Sequence, residues 1–284
     1  MSLFQVLILA IVQGLCELLP VSSSAHVIVA EKLMGLDPTT PAMTLLLVAL
    51  HTGTMFAVIV YFRRDWKTLY FSRRPGLARS AWEVALATAA TGAVGLALLR
   101  LLPAAFGLDR DRFEVEQLFG DPRLIAAALA AAGVLIVTAG LLTRRRAGAG
   151  HIGTAAAAAV GAVQGLCLPF RGFSRSGATI STALLMGVAR DRAESFSFAL
   201  AVVLTPAVIV RELHRFLKAH AAAASAADLV QLALPIVLGM ALSFLAGLLA
   251  LRWLSRWLEH GRWHYFGAYC LAASALVAAA LGRA

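Results

Sequence analysis

Glu17, Ser22, Ser23, Ser24 and His26 fall in one ten-residue stretch between two apolar runs. A second group, Ser174, Arg175, Ser176, Gly177 and Thr179, follows Arg171 and Gly172 in an otherwise similar setting. Ionisable and hydroxyl side chains inside membrane-grade sequence are costly, and they usually line a site rather than face lipid. If a helix ends near Pro20 and another begins after the serines, hydroxyls and amides gather at a helix N-terminus, which is a ready anion site. Arg175 offers a planar fork of donors that matches phosphate oxygens two at a time. Glycines at 172 and 177 suit a backbone that approaches a ligand closely. Together the two groups supply what phosphoryl hydrolysis requires. Donors hold the anion, a hydroxyl or water attacks, and Glu17 and His26 move protons. A carboxylate facing a phosphate also suggests a divalent cation, magnesium or calcium, with Glu17 as a ligand. A helix cap alone accounts for one serine, and a buried Glu17–Arg175 ion pair accounts for both charges in the empty protein. Both alternatives stay open at this point.

The elements that position these residues nearly repeat. Val12-Gln13-Gly14-Leu15-Cys16 returns as Val163-Gln164-Gly165-Leu166-Cys167, each just before one of the polar turns. Paired broken apolar segments in corresponding halves of a chain point to a binding site near the bilayer midplane. Residues 3–33 and 153–189 each hold an apolar run, a polar turn and a second run too short to cross. Both are expected to form re-entrant helical hairpins, because irregular backbone at membrane depth must be buried in protein or line a cavity. Full spans are expected near 42–62, 82–100, 124–142, 195–211, 229–250 and 264–282, each long enough to cross a bilayer. The fold class is therefore an all-α polytopic membrane protein in one domain, residues 1–284. Its two inverted-topology repeats cover about 1–142 and 152–284.

Composition agrees. The 284 residues are 60% hydrophobic and 14% charged, with a mean hydropathy of +0.81, which marks an integral membrane protein. The N-terminal run lacks a basic stretch and leads straight into the polar turn, so it is read as part of the fold and not as a cleaved leader. The net charge of +10 does not signify nucleic-acid binding, since the arginines sit in short segments at span ends with no interleaved aromatics. The 63–79 segment, with Arg63, Arg64, Lys67, Arg73, Arg74 and Arg79, and the 144–151 segment, with Arg144, Arg145 and Arg146, are expected as cytoplasmic loops. The mixed-charge 100–123 loop, both termini and the first hairpin's entrance then lie outside, and the second hairpin enters from the cytoplasm. The 211–220 segment fits this orientation least well. Three cysteines in apolar context argue for packing and against a disulfide framework. The Ala-rich runs at 126–132, 155–159 and 221–224 are read as helix filler.

The chain resembles the undecaprenyl-diphosphate phosphatase family, bacterial membrane enzymes linked to bacitracin resistance. The family's first signature is similar to Glu-Gly-x-Thr-Glu-Phe-Leu-Pro-Val-Ser-Ser-Thr-Gly-His and stands here as Gln13 through His26. The second, Pro-Gly-x-Ser-Arg-Ser-Gly-Ala-Thr, stands as Arg171 through Thr179. Flanking similarity includes His51-Thr52-Gly53-Thr54, Tyr61 through Asp65, and Phe196-Ser197-Phe198. The resemblance implies hydrolysis of undecaprenyl diphosphate to the monophosphate and inorganic phosphate, which recycles the lipid carrier for peptidoglycan and other envelope polymers. It also implies a bacterial inner-membrane protein with its site open to the periplasm. Carried over residue by residue, Arg175 holds the diphosphate and Ser23 is the candidate nucleophile, with directly attacking water as its rival. His26 is general acid/base, and Glu17 is base or metal ligand. Ser22, Ser24, Ser174 and Ser176 donate hydrogen bonds, and Gly177 and Thr179 line the substrate, with Arg171, which the family lacks, as a further substrate-binding candidate.

Departures from the family matter. Gln13 replaces a Glu and so removes one carboxylate ligand or base, leaving Gln13 a weaker metal ligand. Ser24 keeps a hydroxyl where the family has Thr. Ala25 replaces Gly, so that position needs no strongly left-handed backbone. Arg171 replaces Pro in an approach one residue longer. It either joins Arg175 at the head group or faces the surface. The expected partners are a polyprenyl diphosphate lipid and the membrane, with a homodimer left open. A transporter or flippase of a polyprenyl phosphate is the rival function. It would need the cations but not the acid/base pair.

Overall fold

A computed structural model describes residues 2–37, 40–71, 74–107, 118, 121–143, 148, 151–220 and 226–281. Among them are ten helices: α1 (Leu3–Leu18), α2 (Ser23–Leu33), α3 (Pro41–Phe71), α4 (Arg74–Phe106), α5 (Pro122–Leu142), α6 (Thr154–Cys167), α7 (Arg175–Leu185), α8 (Arg190–His220), α9 (Ala226–Glu259) and α10 (Trp263–Leu281). Six are long and apolar enough to cross a bilayer, over Met43–Thr68, Leu77–Phe106, Pro122–Leu142, Arg190–Arg211, Leu234–Glu259 and Trp263–Ala280. These are the six expected spans. Their lipid-facing character shows in Leu96, Leu101, Leu234, Leu249 and Leu276, all more than half exposed, which is a costly surface in water.

The remaining four helices form two packed pairs, α1 with α2 and α6 with α7. They have 16 and 11 residues, and 14 and 11. Each falls short of the roughly 20 residues that a crossing takes. The breaks come where the sequence places Pro20 and the Pro169–Gly172 turn.

Helix ends differ from expectation. The Arg-rich 63–79 segment is not a loop, for α3 runs on to Phe71 and α4 starts at Arg74. Likewise α4 reaches Phe106 and α8 continues through 211–220. Lys, Arg and Leu are good helix formers, so a helix need not stop where its apolar stretch does. Arg73, Arg144, Arg145 and Arg146, half of the 100–123 loop and the Ala-rich 221–224 run lie outside the described residues. The Ala-rich runs at 126–132 and 155–159 are helical.

The helices distribute over two compact units. The first comprises Met1–Leu19, Ser23–Arg63 and Ala201–Leu254. Its apolar core joins Val6, Leu9 and Ala10 of α1, Val27 of α2, and Met43, Leu46 and Leu50 of α3. Helix α9 serves both α1 and α3 as a platform. A Cβ on Gly14 of α1 would lie 2.5 Å from Ala246 Cβ, and one on Gly53 of α3 would lie 2.3 Å from the Met240 carbonyl oxygen. Ser243 Oγ, between those contacts on α9, donates to Leu50 O at 3.0 Å. Close approach through small residues is the usual means of helix association in membranes.

The second unit comprises Pro20–Ser22, Arg64–Leu200 and Ser255–Ala284. There α5 packs on α10 and α4 on α6. Ser274 Oγ donates to Ala126 O at 2.7 Å, and Thr91 Oγ1 donates to Gly161 O at 2.9 Å. Helix α7 is buried among these. Trp263 Nε1 donates to Ser181 Oγ at 2.9 Å, and the Thr179 and Ser197 hydroxyls meet at 2.6 Å. All three cysteines are free thiols, in keeping with packing roles. Cys270 Sγ donates to Pro20 O at 3.2 Å, within this unit.

Candidate active site

Helix α1 ends at Leu18, and the amide of its C-cap Leu19 donates to Leu15 O. Pro20 cannot extend the helix, and the chain turns through Val21 and Ser22, both buried. Ser22 has φ +68°, a left-handed conformation that costs a non-glycine residue about 1–2 kcal/mol. The turn thus keeps a serine where glycine would fit more easily, a choice that points to use of the side chain. Ala25 lies within α2, so the family's glycine is indeed not needed there.

Glu17 in the last turn of α1 and Ser23 at the start of α2 face each other. Ser23 Oγ donates to Glu17 Oε2 at 2.6 Å, the short distance of a hydrogen bond to a charged acceptor. Gln13, one helical turn before Glu17, donates its side-chain amide to the same oxygen at 3.1 Å. Reversing that amide would set its carbonyl oxygen against the carboxylate, so the donor orientation is the stable one. Gln13 therefore serves here as a buried donor to Glu17. A fourth group was not singled out by the sequence. His51 Nε2 of α3 lies 3.7 Å from Glu17 Oε2, with the His51 side chain 42% exposed and that of Glu17 14%. His51 sits within the long apolar stretch of α3, and an ionisable residue in such a stretch is the signal that identifies it. His26 follows Ser23 by one turn of α2, and positions three apart share a helix face. Ser24 and His26 are both half-buried.

The second polar turn belongs wholly to the second unit. Its Phe173 amide donates to Phe170 O at 3.1 Å, closing the turn. Ser174 caps α7, with Oγ accepting from the Gly177 amide at 3.2 Å. Arg175 is the first residue of α7, where the helix dipole favours an anion. Arg171 and Arg175 are half-buried, whereas Ser174, Ser176, Gly177 and Thr179 are buried. Thr179 Oγ1 also donates to Arg175 O at 2.7 Å, so its hydroxyl braces the first turn of α7 and its link to α8.

Both glycines of this turn are closely packed. Gly172 has φ +102°, and a Cβ there would lie 2.7 Å from Ile125 O of α5. A Cβ on Gly177 would lie 2.6 Å from Ile136 Cδ1 and 3.2 Å from Pro20 Cβ. At both positions protein stands where a side chain would begin.

In chemical terms, the first group pairs a hydroxyl with a carboxylate at the separation that nucleophile and base require. The second puts a guanidinium at a capped helix N-terminus, which suits an oxyanion. Among the described residues no three His, Cys, Asp or Glu side chains gather to hold a metal. With one carboxylate and a hydroxyl, the Glu17 cluster fits a cation shared with substrate phosphate, the manner in which magnesium is commonly bound.

Comparison with known proteins agrees with this chemistry. The chain is 60% identical to Undecaprenyl-diphosphatase 2 of Acinetobacter baylyi, over 98% of this chain and 97% of that protein. It is 31% identical to Undecaprenyl-diphosphatase of Rhodopirellula baltica, covering 97% of each. With the protein of the same name from Korarchaeum cryptofilum the identity is 32%, over 95% of this chain and 96% of that one. The family model described as Bacitracin resistance protein BacA matches residues 6–276, and the chain belongs to that family.

Proposed function

We propose that this protein hydrolyses undecaprenyl diphosphate to undecaprenyl phosphate and inorganic phosphate. The observation that carries the reading is the 2.6 Å hydrogen bond from Ser23 Oγ to Glu17 Oε2, in a chain whose relatives bear the name of that activity. Glu17 takes the Ser23 proton as Oγ bonds to the terminal phosphorus. The bond from that phosphorus to the bridging oxygen breaks, and the oxygen leaves with the lipid phosphate. Water then cleaves the serine phosphate, with His26 moving protons. Arg175 holds the diphosphate, with Ser22, Ser24, Ser174 and Ser176 as donors and Arg171 as a second cation. Gly177 and Thr179 line the substrate beside the start of α7, which the Thr179 hydroxyl braces. Direct attack by water is the rival to Ser23. We place the enzyme in the bacterial inner membrane, with the α1–α2 and α6–α7 pairs re-entrant and the site open to the periplasm. There it would return carrier lipid to peptidoglycan and envelope polymer synthesis.

Glu17, together with the diphosphate, would hold a divalent cation, magnesium or calcium, which would supply charge neutralisation. Gln13→Glu replaces a donor with a second carboxylate one helical turn from Glu17. Ligand charge sets cation affinity, and binding to the folded state raises stability. The calcium concentration that half-maximally raises the Tm is expected to fall about tenfold in this variant. An unchanged calcium titration would remove the cation from Glu17.

The transporter reading is favoured by one observation, the two pairs of short broken helices. Glu17→Gln in proteoliposomes separates the two. Loss of phosphate release by about 10³-fold is expected, from the usual worth of a general base. Undiminished phosphate release would overturn the hydrolase. Transmembrane movement of polyprenyl phosphate by wild type and variant alike, without phosphate release by either, would establish the transporter.

A further inference from the structure

The Glu17 carboxylate receives more than the reaction scheme uses. Three groups converge on its Oε2: Ser23 Oγ at 2.6 Å, Gln13 Nε2 at 3.1 Å and His51 Nε2 at 3.7 Å. The first two come from the same polar hairpin. His51 comes from α3, and its other ring nitrogen, Nδ1, lies 2.8 Å from Leu47 O in the preceding turn. A carbonyl oxygen only accepts, so Nδ1 carries a hydrogen. That bond fixes the ring plane and aims Nε2 at Glu17. The 3.7 Å separation is ion-pair range and exceeds a hydrogen bond. Such contacts commonly shorten once substrate is bound.

The framework holds this geometry. Glu17 follows Gly14 by three residues, and His51 lies between Leu50 and Gly53. Gly14 and Gly53 both press against the Met240–Ala246 stretch of α9, and Ser243 of that stretch bonds Leu50 O. Leu18 of α1 and Ala57 of α3 meet α9 again at Gly247, where a Cβ would lie 3.1 Å and 3.0 Å from them. A single helix thus indexes α1 against α3 and fixes where His51 stands relative to Glu17.

We propose that His51 is a positioning residue for the reaction described above. With Nδ1 anchored on Leu47 O, its Nε2 flanks Glu17 Oε2 from the more exposed side, while Gln13 holds that oxygen toward Ser23 from the buried side. The inference rests on the hydrolase reading, since it assigns His51 through Glu17. The bland alternative is that His51 merely caps the Leu47 carbonyl within its own helix, as polar residues in apolar helices often do.

Two amide substitutions separate the alternatives. Glutamine places its donor near the position of Nε2, and asparagine near that of Nδ1. His51→Leu is expected to lower kcat about 10²-fold, the scale of an ångström's misplacement of a reacting group. KM should stay within about threefold, because no ground-state contact is lost. His51→Gln is expected to recover most of kcat, and His51→Asn to stay as low as His51→Leu. Equal kcat for the two amide variants at any level, or a more active His51→Asn, would overturn the proposal, as would wild-type kcat in His51→Leu. A wild-type protein that releases no phosphate would instead sink the hydrolase reading, and this inference would fall with it.

Discussion

Replacing Ser23 with alanine is expected to lower phosphate release from undecaprenyl diphosphate by about 10³-fold or more, the scale set by loss of an activated nucleophile. The substitution removes a single oxygen, the one 2.6 Å from Glu17 Oε2. Alanine is the best helix former, so α2 should begin at the same place. The structural cost is one hydrogen bond to a half-buried carboxylate, about 1.5–3 kcal/mol at most. A Tm measured beside the rate checks that the loss is chemical. A Ser23→Ala protein that keeps more than about a tenth of wild-type kcat would hand the attack to water, with Glu17 as its base.

The second large effect concerns Arg175. Lysine there keeps the charge but loses the planar fork, and a fork is what two oxygens of one phosphate require. Arg175→Lys is therefore expected to lower kcat by about 10²–10³-fold, the usual cost of removing one preorganised donor to a developing charge. Arg175→Ala should be no better, and both should keep a wild-type Tm because Ser174 still caps α7. The measurement is steady-state phosphate release at saturating lipid. Wild-type turnover in Arg175→Lys would show that a point charge suffices and that the bidentate argument is wrong.

Much of this was legible in the sequence, for a physical reason. A bilayer fixes a minimum length for an apolar helix, so the six spans could be counted from composition alone. The two breaks were legible because proline and clustered serines cannot continue an apolar helix at low cost. Helix ends were less so. The Arg-rich segment after Phe62 was read as loop because its hydropathy falls, yet hydrogen bonding continues to Phe71. Long basic side chains leave the backbone free to stay helical while their heads reach water.

Within the site, Glu17 and the serines were legible as one polar group around Pro20, but which hydroxyl meets the carboxylate was not. What the glycines do did not follow. A missing Cβ says that something comes close, and only the fold says that α5 does so at both Gly172 and Gly177. The left-handed backbone at Ser22 was equally hidden, since that conformation is read from glycine or asparagine and seldom from serine. His51 was visible as an ionisable residue in an apolar span, but its target depends on how α1 and α3 both lean on α9. That is a tertiary fact with no local signature.

The most direct test is inorganic phosphate release from undecaprenyl diphosphate by the purified protein in detergent, with and without magnesium or calcium, beside Ser23→Ala. Release that requires a cation and falls to background in the variant is the expected result. No release from well-folded wild-type protein with either cation would contradict it, and the chemistry of the two polar turns would then have to serve transport or a different phosphorylated lipid.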